Sequence, residues 1–340
     1  MRSSSIHDVA RRAGVSVGTV SNVLNHPELV AAATRGRVES AMSELGYVLN
    51  GSARNLRTGR SNIIGLVVLD VRNPFFTEVA RGAEDAANEH GYAVMLCNSD
   101  DSEDKEAHYL RELEQQRAMG ALITPVSTSP ELLDAMVARG LRAVLLDHPS
   151  PTGERCSVAV DDVRGGELAA AHLLEQGHET LAVINGPRSI QQCEDRREGV
   201  RRAVAIAGGD PDTDVVELEI ESLNAPGGEA AATQLVEHRP SPTGVVCVND
   251  LVALGALRGL RSHGYDVPGD VSIIGYDDVE FASALRVPLT TVRQPKYRLG
   301  RAAAELLLEE TGDPDHTHQQ VLFYPELIVR ESSAPATART

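Results

Sequence analysis

Residues 5–25 read SIHDVARRAGVSVGTVSNVLN, and the rest of the 340-residue chain makes sense as apparatus attached to this stretch. Ser5 and Asp8 fit the S-x-x-D pattern of a capping box, in which the hydroxyl accepts from the Asp8 amide while the carboxylate reaches back. Ile6, Val9 and Ala10 fall at i, i+3 and i+4, one apolar face of a first helix. Gly14 is free to take a positive φ in a tight turn. Ser16 can cap a second helix, whose apolar side is Val20, Val23 and Leu24. Two short helices joined by a glycine turn form a helix-turn-helix, whose second helix enters the DNA major groove. An αα-hairpin in a helical core has the same pattern, and spacing alone does not separate the two.

The length suggests two to three domains. Charge is divided unevenly along the chain. Residues 1–60 hold eight Lys/Arg and four Asp/Glu, a net of +4, whereas the remainder holds 24 and 45, a net of −21. Such a protein is no general nucleic-acid coat, but its basic head can hold DNA in a salt-dependent way. Aromatic residues are only 3% and tryptophan is absent, which removes the stacking platform of many single-strand binders. No run approaches the ~20 apolar residues of a spanning helix. The N-terminus MRSSSIHDVARR lacks the apolar core of a signal peptide, so a cytoplasmic location is expected. Cys97, Cys156, Cys193 and Cys247 form no CxxC pair and no metal-finger spacing, which predicts reduced, buried thiols and no metal site.

Thr34 to Leu45 predicts a third helix, with Val38, Met42 and Leu45 on one face and Gly46 ending it. Asn50 can cap a helix of about two turns, too short to be stable unaided. From Ile63 the texture becomes α/β. The runs 63–70, 92–97, 120–125 and 142–147 read as buried parallel strands, alternating with amphipathic stretches at 75–90, 102–118 and 130–139. A second round follows, with strands at 180–186, 214–219, 243–249 and 271–277 and helices at 163–176, 191–207, 226–237 and 250–263. The alternation predicts two doubly wound units, whose ligands sit beyond the carboxyl ends of the strands.

The opening stretch closely resembles the N-terminus of the lactose/galactose-repressor (LacI/GalR) family of bacterial regulators, through Ile6, Asp8, Val9, Ala10, Ala13, Gly14, Val15, Ser16, Thr19, Val20, Ser21, Val23, Leu24 and Asn25. The resemblance continues through VESAMSELGY (38–47), ARNLRTGRS (53–61), NPFF (73–76), GHET (177–180), VNDLVALGAL (248–257), VSIIGYDD (271–278) and PLTTVRQP (288–295). It implies a fold class: an N-terminal all-α helix-turn-helix domain (1–49), a hinge (50–60), and an α/β periplasmic-binding-protein-like core of two doubly wound lobes (61–331). Lobe 1 would take about 61–160 plus 291–319, lobe 2 about 161–290 plus 320–331, and 332–340 would be a tail. That tail shows no heptad pattern, so a homodimer is expected. Two places depart from the family pattern. Ala31 or Ala33 stands where a serine often begins the third helix, and Leu49 where a proline precedes the hinge.

For DNA, Ser16, Thr19 and Ser21 are short polar residues suited to phosphates. The resemblance places base reading at Val17, Gly18 and Asn22. Of these, Asn22 can pair bidentate with adenine, worth ~1–3 kcal/mol of discrimination. The resemblance also implies that Leu56 wedges into the minor groove, that Ala53 lies nearby, and that Arg54 and Arg57 meet phosphates. Ser5, Asn25, Tyr47 and Asn50 complete that set. For the effector, Asp70, Asp147, Asn185, Asn249 and Asp277 each close a strand pattern with a polar group. Asp147 and Asp277 can accept from two sugar hydroxyls, and Arg196 can donate a fork of hydrogen bonds. The resemblance adds Phe75 and Phe76 as an apolar cover, with Gln192 and Asn73 as lesser contacts. Asp250 reads as a helix N-cap. Leu223 stands about where purine binders place an aromatic, which disfavours purines.

GxSxG, GxxxxGK[ST], HExxH and a GxGxxG after a strand are all missing. His148, His172 and His178 are scattered, and no Cys–His pairing is evident. An enzyme is therefore not expected. A free solute-binding protein fits the core, but not the basic head. The expectation is a homodimeric, sugar-responsive DNA-binding regulator, a repressor by type, with a small-molecule effector, operator DNA as partner and no cofactor.

Overall fold

Ser5 opens the first helix as its sequence requires. In the computed structural model its Oγ accepts from the Asp8 amide, and Asp8 Oδ2 accepts the Ser5 amide at 3.0 Å. The structure describes residues 4–47, 61–126, 131–150, 152–238, 241–313 and 315–336. These belong to two compact units, Met1–Ser61 and Asn62–Thr340.

In the first unit α1 (Ile6–Ala13) ends on Gly14 at φ +66°, and α2 (Val17–Asn25) is capped by Ser16. The third helix, α3 (Ala32–Glu44), starts two residues earlier than its sequence pattern suggests. Its N-cap position is Ala31, which offers no side-chain oxygen. Val9, Ala10, Ala13, Val20, Val23, Val38 and Ala41 form a small closed core. Ser4 Oγ donates to the Leu45 carbonyl at 2.8 Å and ties the chain start to the end of α3.

The second unit holds two six-stranded sheets. The first comprises β1 (Ile63–Val68), β2 (Ala93–Asn98), β3 (Gly120–Ile123), β4 (Ala143–Leu146), β5 (Ser157–Val160) and β11 (Gln320–Phe323), in the order β2-β1-β3-β4-β5-β11. The second comprises β6 (Leu181–Asn185), β7 (Val215–Glu219), β8 (Gly244–Cys247), β9 (Ser272–Asp277), β10 (Thr290–Arg293) and β12 (Glu326–Ile328), in the matching order β7-β6-β8-β9-β10-β12. Every pairing is parallel except β10 with β12. The helices are α4 (Pro74–Glu89), α5 (Glu103–Gln115), α6 (Glu131–Ala138), α7 (Asp162–Glu175), α8 (Gln191–Ile206), α9 (Ala225–Glu237), α10 (Asp250–Ser262) and α11 (Lys296–Gly312).

Close helix crossings fix the layers. A Cβ on Gly166 of α7 would lie 2.2 Å from the Arg196 carbonyl oxygen, and one on Gly199 of α8 would lie 2.0 Å from that of Val163. Only glycine lets these two backbones touch, and the contact sets where Arg196 stands.

The lobe boundaries differ from the sequence expectation in three ways. β10 stays in lobe 2 through Arg293, paired with β9, so the chain leaves that lobe after 293 rather than at 291. The run 321–330 is two strands, not one. β11 pairs with β5 in lobe 1, and β12 joins lobe 2 only after Tyr324 and Pro325 interrupt the run. Residues 332–336 are no loose tail. Ser332 Oγ donates to the Ile273 carbonyl at 2.6 Å and accepts from the Thr290 amide at 2.8 Å, and the Ala336 amide reaches the Gln176 carbonyl at 2.9 Å.

Candidate functional site

The second helix presents a short polar face. Ser16 Oγ accepts from the Thr19 amide at 3.0 Å and lies 2.9 Å from Thr19 Oγ1, so the cap pre-orders both hydroxyls. Val20 and Val23 point into the core. Gly18 and Asn22 are exposed, Thr19 and Ser21 are half-buried, and Val17 packs partly against the core. A side chain at Gly18 would meet only Ser16 Oγ, at an ordinary 3.6 Å. Ser5 uses its hydroxyl in the cap of α1, Tyr47 packs on the small core, and Asn25 ends α2. Asn50, Ala53, Arg54, Leu56 and Arg57 lie outside the described residues.

The second site is a cavity between the lobes, at the carboxyl ends of both sheets. Asn73, Phe75, Phe76, Asp147, Gln192, Arg196, Asn249 and Asp277 all line it, together with Leu69, Leu223 and Gln294 among others. Two of these close strands with left-handed backbone, Asp147 at φ +54° and Asp277 at φ +110°. Such conformations cost ~1–3 kcal/mol and collect at ligand sites.

Arg196 is gripped by lobe 2 itself. Its Nε donates to Asp162 Oδ1 at 2.8 Å, its Nη1 donates to the Val248 carbonyl at 2.6 Å, and its guanidinium carbon lies 3.7 Å from the centroid of the Tyr276 ring. The expected fork of donors is therefore half committed, and Nη2 alone has no protein acceptor among the described residues. Burial opposes the charge, but Asp162, Tyr276, Asp277 and Asp147 more than offset it and hold Arg196 above its usual range.

Hydrogen bonds cross from lobe to lobe. Asn73 caps α4 through Oδ1 and donates from Nδ2 to Asp277 Oδ2 at 3.0 Å. Gln192 Nε2 donates to the Asp147 carbonyl and to Asp147 Oδ2. Gln294 donates to Asp277 Oδ1 at 2.7 Å. Burial, then repulsion from Asp162, pushes the Asp147 carboxyl well above the carboxylate range. Burial raises Asp277 as well, against the pull of Arg196, Asn73, Lys296 and Gln294. Phe75 and Phe76 meet edge to face at 4.9 Å. The cavity holds only about 40 Å³. Small-molecule pockets run to about 300–1,000 Å³, so the lobes stand closed and must part to admit a ligand.

Several roles differ from those expected. Asn249 is the N-cap of α10, accepting from Val252 and donating to the Leu223 carbonyl, so its amide is largely used by the fold. Asp250 is not the cap. It is fully buried and takes the Thr291 hydroxyl at 2.6 Å and the Val279 amide at 2.9 Å. Asp70 pairs with Arg72, and Asn185 braces the Gly186–Cys193 loop. Gln294, which sequence reasoning missed, follows β10 with no apolar run to mark it. The cysteines are free and buried as expected. The expectation of no Cys–His pairing fails, because Cys156 Sγ lies 3.1 Å from His316 Nε2. The two are separated too widely in the chain for spacing to reveal it.

Comparison with known proteins bears on both sites. Residues 5–50 match the model of bacterial regulatory proteins, lacI family, and residues 170–333 that of a periplasmic binding protein-like domain. The HTH-type transcriptional repressor PurR of Aliivibrio fischeri is 36% identical over 332 residues, covering 97% of this chain and 98% of that protein. Its namesake from Photobacterium profundum is 34% identical over 331 residues, with the same coverage. Among solved structures, the lac repressor dimer bound to operator and the anti-inducer ONPF has a TM-score of 0.85 at 27% identity, over 98% of this chain and 100% of that one. A LacI family regulator from Enterococcus faecium with bound ribose has a TM-score of 0.74 at 31% identity, over 81% and 100%. With relatives above 30% identity along nearly its whole length, the chain belongs to the LacI family, whose members are DNA-binding transcriptional regulators rather than enzymes.

Proposed function

We propose that the chain is a homodimeric repressor whose hold on a pseudo-palindromic operator is set by a sugar or sugar derivative bound between its lobes. One observation carries the effector reading. Asp147 Oδ1, Gln192 Oε1 and Gln294 Oε1 are buried at the cleft without any donor. A ligand rich in hydroxyl donors satisfies all three, and donation to Asp147 and Asp277 restores their charged forms. Leu223 gives an aliphatic wall where a flat base would need a stacking partner, and Phe75 and Phe76 offer an apolar face to the sugar carbons. The ribose complex of the Enterococcus faecium relative supports this class. The PurR relatives favour a purine instead, as the second reading.

On DNA, α2 lies in the major groove with Asn22 toward adenine and Ser16, Thr19 and Ser21 toward phosphates. Residues 50–60 carry Leu56 and Ala53 to the minor groove, with Arg54 and Arg57 on phosphates. Two copies meet two half-sites. Cleft opening and closing biases the hinge, and 1–3 kcal/mol of coupling shifts operator affinity ~5–150-fold.

The test is thermal denaturation of the full chain against pentoses, hexoses, disaccharides and purine bases, followed by operator binding with each hit. At a hundredfold excess over Kd a true effector adds about 2.7 kcal/mol, on the order of 5–10 °C. A shift with purines and none with sugars replaces the sugar reading by the nucleobase one. For DNA, Asn22→Ala should flatten sequence preference more than it lowers total affinity. Selection of the same consensus by the variant would overturn that assignment.

A further inference from the structure

Away from the cleft, at the amino end of the lobe 1 sheet, three metal-binding side chains converge. Cys156 immediately precedes β5, and His316 and His318 lead into β11. The parallel register that sets Ser157 against Gln320 brings the two approaches side by side. Both imidazoles of His316-x-His318 lie against the thiol. Cys156 Sγ lies 3.1 Å from His316 Nε2 and 3.8 Å from His318 Nδ1, and the three donor atoms all fall within 4.8 Å of one another.

These separations match a metal's needs. Zinc bonds of ~2.3 Å to sulfur and ~2.0–2.1 Å to nitrogen in a tetrahedron put S and N about 3.6 Å apart. The surroundings fit as well. The Gln319 amide donates to the sulfur at 3.4 Å, the kind of outer hydrogen bond that orients a thiolate ligand.

We propose that Cys156, His316 and His318 form a binding site for a borderline divalent transition metal, zinc first, with water as fourth ligand. One thiolate and two imidazoles are the donor set of such ions, and carboxylate-preferring magnesium or calcium is excluded by it. Binding displaces the thiol proton to solvent and forms the metal–sulfur bond, with no change of oxidation state. The ion ties the 315–319 approach to the start of β5, so it staples the edge strand β11 into lobe 1.

The test uses the full chain, stripped with chelator and titrated with Co²⁺ and then Zn²⁺. The expected result is one Co²⁺ per chain with a sulfur-to-cobalt charge-transfer band, displaced by stoichiometric Zn²⁺, and a rise in melting temperature with Zn²⁺. Cys156→Ser should abolish the band although three other cysteines remain. His318 is exposed, so His318→Ala keeps the fold, and it should weaken Zn²⁺ binding at least tenfold and lose the melting shift. The absence of stoichiometric binding at micromolar metal overturns the site, as does a charge-transfer band that persists in Cys156→Ser or an affinity unchanged in His318→Ala.

Discussion

The two lobes repeat one strand order yet meet the cleft with different chemistry. Lobe 2 brings a buried polar network, Arg196 clamped by Asp162 and Tyr276 and Asp277 at the end of β9, beside the apolar Ile190, Leu223 and Val248. Lobe 1 brings Leu69, Phe75 and Phe76, with Asn73 and Asp147 as its polar points. The difference divides the work. A network whose members hold one another keeps its shape whether or not a ligand is present. An apolar wall has no such internal partners, and it latches through contacts that reach across, Asn73 to Asp277, Gln192 to Asp147, and Lys296 to the Asp277 and Asp278 carbonyls. Lobe 2 therefore grips, and lobe 1 closes.

The strongest way to break this contrast is to unmake the grip. Arg196→Met leaves Asp162 buried without its cation, and losing one partner of such a pair costs about 3–5 kcal/mol. Urea unfolding should show that loss, and calorimetry should find no effector binding. The double variant Arg196→Met, Asp162→Leu removes both charges and should recover most of the stability, but none of the binding. Recovery of binding in the double variant would mean that the network serves the fold and not the ligand.

A smaller disturbance comes from the helix crossing that places Arg196. Gly166→Ala drives a Cβ into the Arg196 carbonyl, 2.2 Å away. Overpacking of this kind costs about 1–3 kcal/mol. The shift of α8 should weaken effector binding as well as stability. The mirror change in lobe 1, Gly82→Ala, would press on the Tyr297 carbonyl at 2.0 Å. It should lower stability by a similar amount and affect binding less, because no gripping side chain rides on that contact.

These distinctions rest on unequal legibility. Local signals were plain in the sequence. Ser5, Asp8, Gly14 and Ser16 announced their caps and turn, and Ala31 its missing cap. The strand-end rule pointed at Asp147 and Asp277, because a polar residue closing an apolar run in a parallel sheet stands at the mouth of the crevice. What stayed hidden depends on pairings between distant segments. Asp162 and Tyr276 reach Arg196 only through the crossing of α7 with α8 and the position of β9. The split of 321–330 between two sheets is decided by which strand edges are vacant, not by its own apolar pattern. His316 and His318 meet Cys156 for the same reason. Asn249 shows the opposite failing, because a polar strand end can be consumed by the helix it caps.

Lobe 1 also carries a partly buried acid, Asp101, with no ion pair among the described residues. Asp101, near Asp70 and Asp100, is pushed up to about 6 by burial, then by those two charges, with Arg72 offsetting only part. Its folded pKa lies above its unfolded one. Its contribution to stability is therefore fully present below the ordinary carboxylate range, and it is lost as pH rises through about 6. Asp101→Asn should stabilise the protein at pH 7 by about 1–2 kcal/mol after solvent screening, and flatten stability between pH 4 and 7. Asparagine tolerates the positive φ of 54° at this position. An unchanged pH profile would show that Asp101 is ionised freely in the fold.

The gentlest change tests the latch alone. Asn73→Ser keeps an oxygen to cap α4, since serine and asparagine are near equals as N-caps, but it lacks the Nδ2 that donates to Asp277. The cap is kept, so the loss of global stability should not exceed the worth of that one hydrogen bond. The balance between closed and open lobes should move with it, because a hydrogen bond to a charged group contributes about 1.5–3 kcal/mol, roughly a 10–150-fold change in the ratio of the two states. Small-angle scattering of the full chain without effector should give a larger radius of gyration for the variant, and saturating effector should bring variant and parent to one common value. If the radius does not change, the Gln192 and Lys296 contacts hold the lobes together without Asn73.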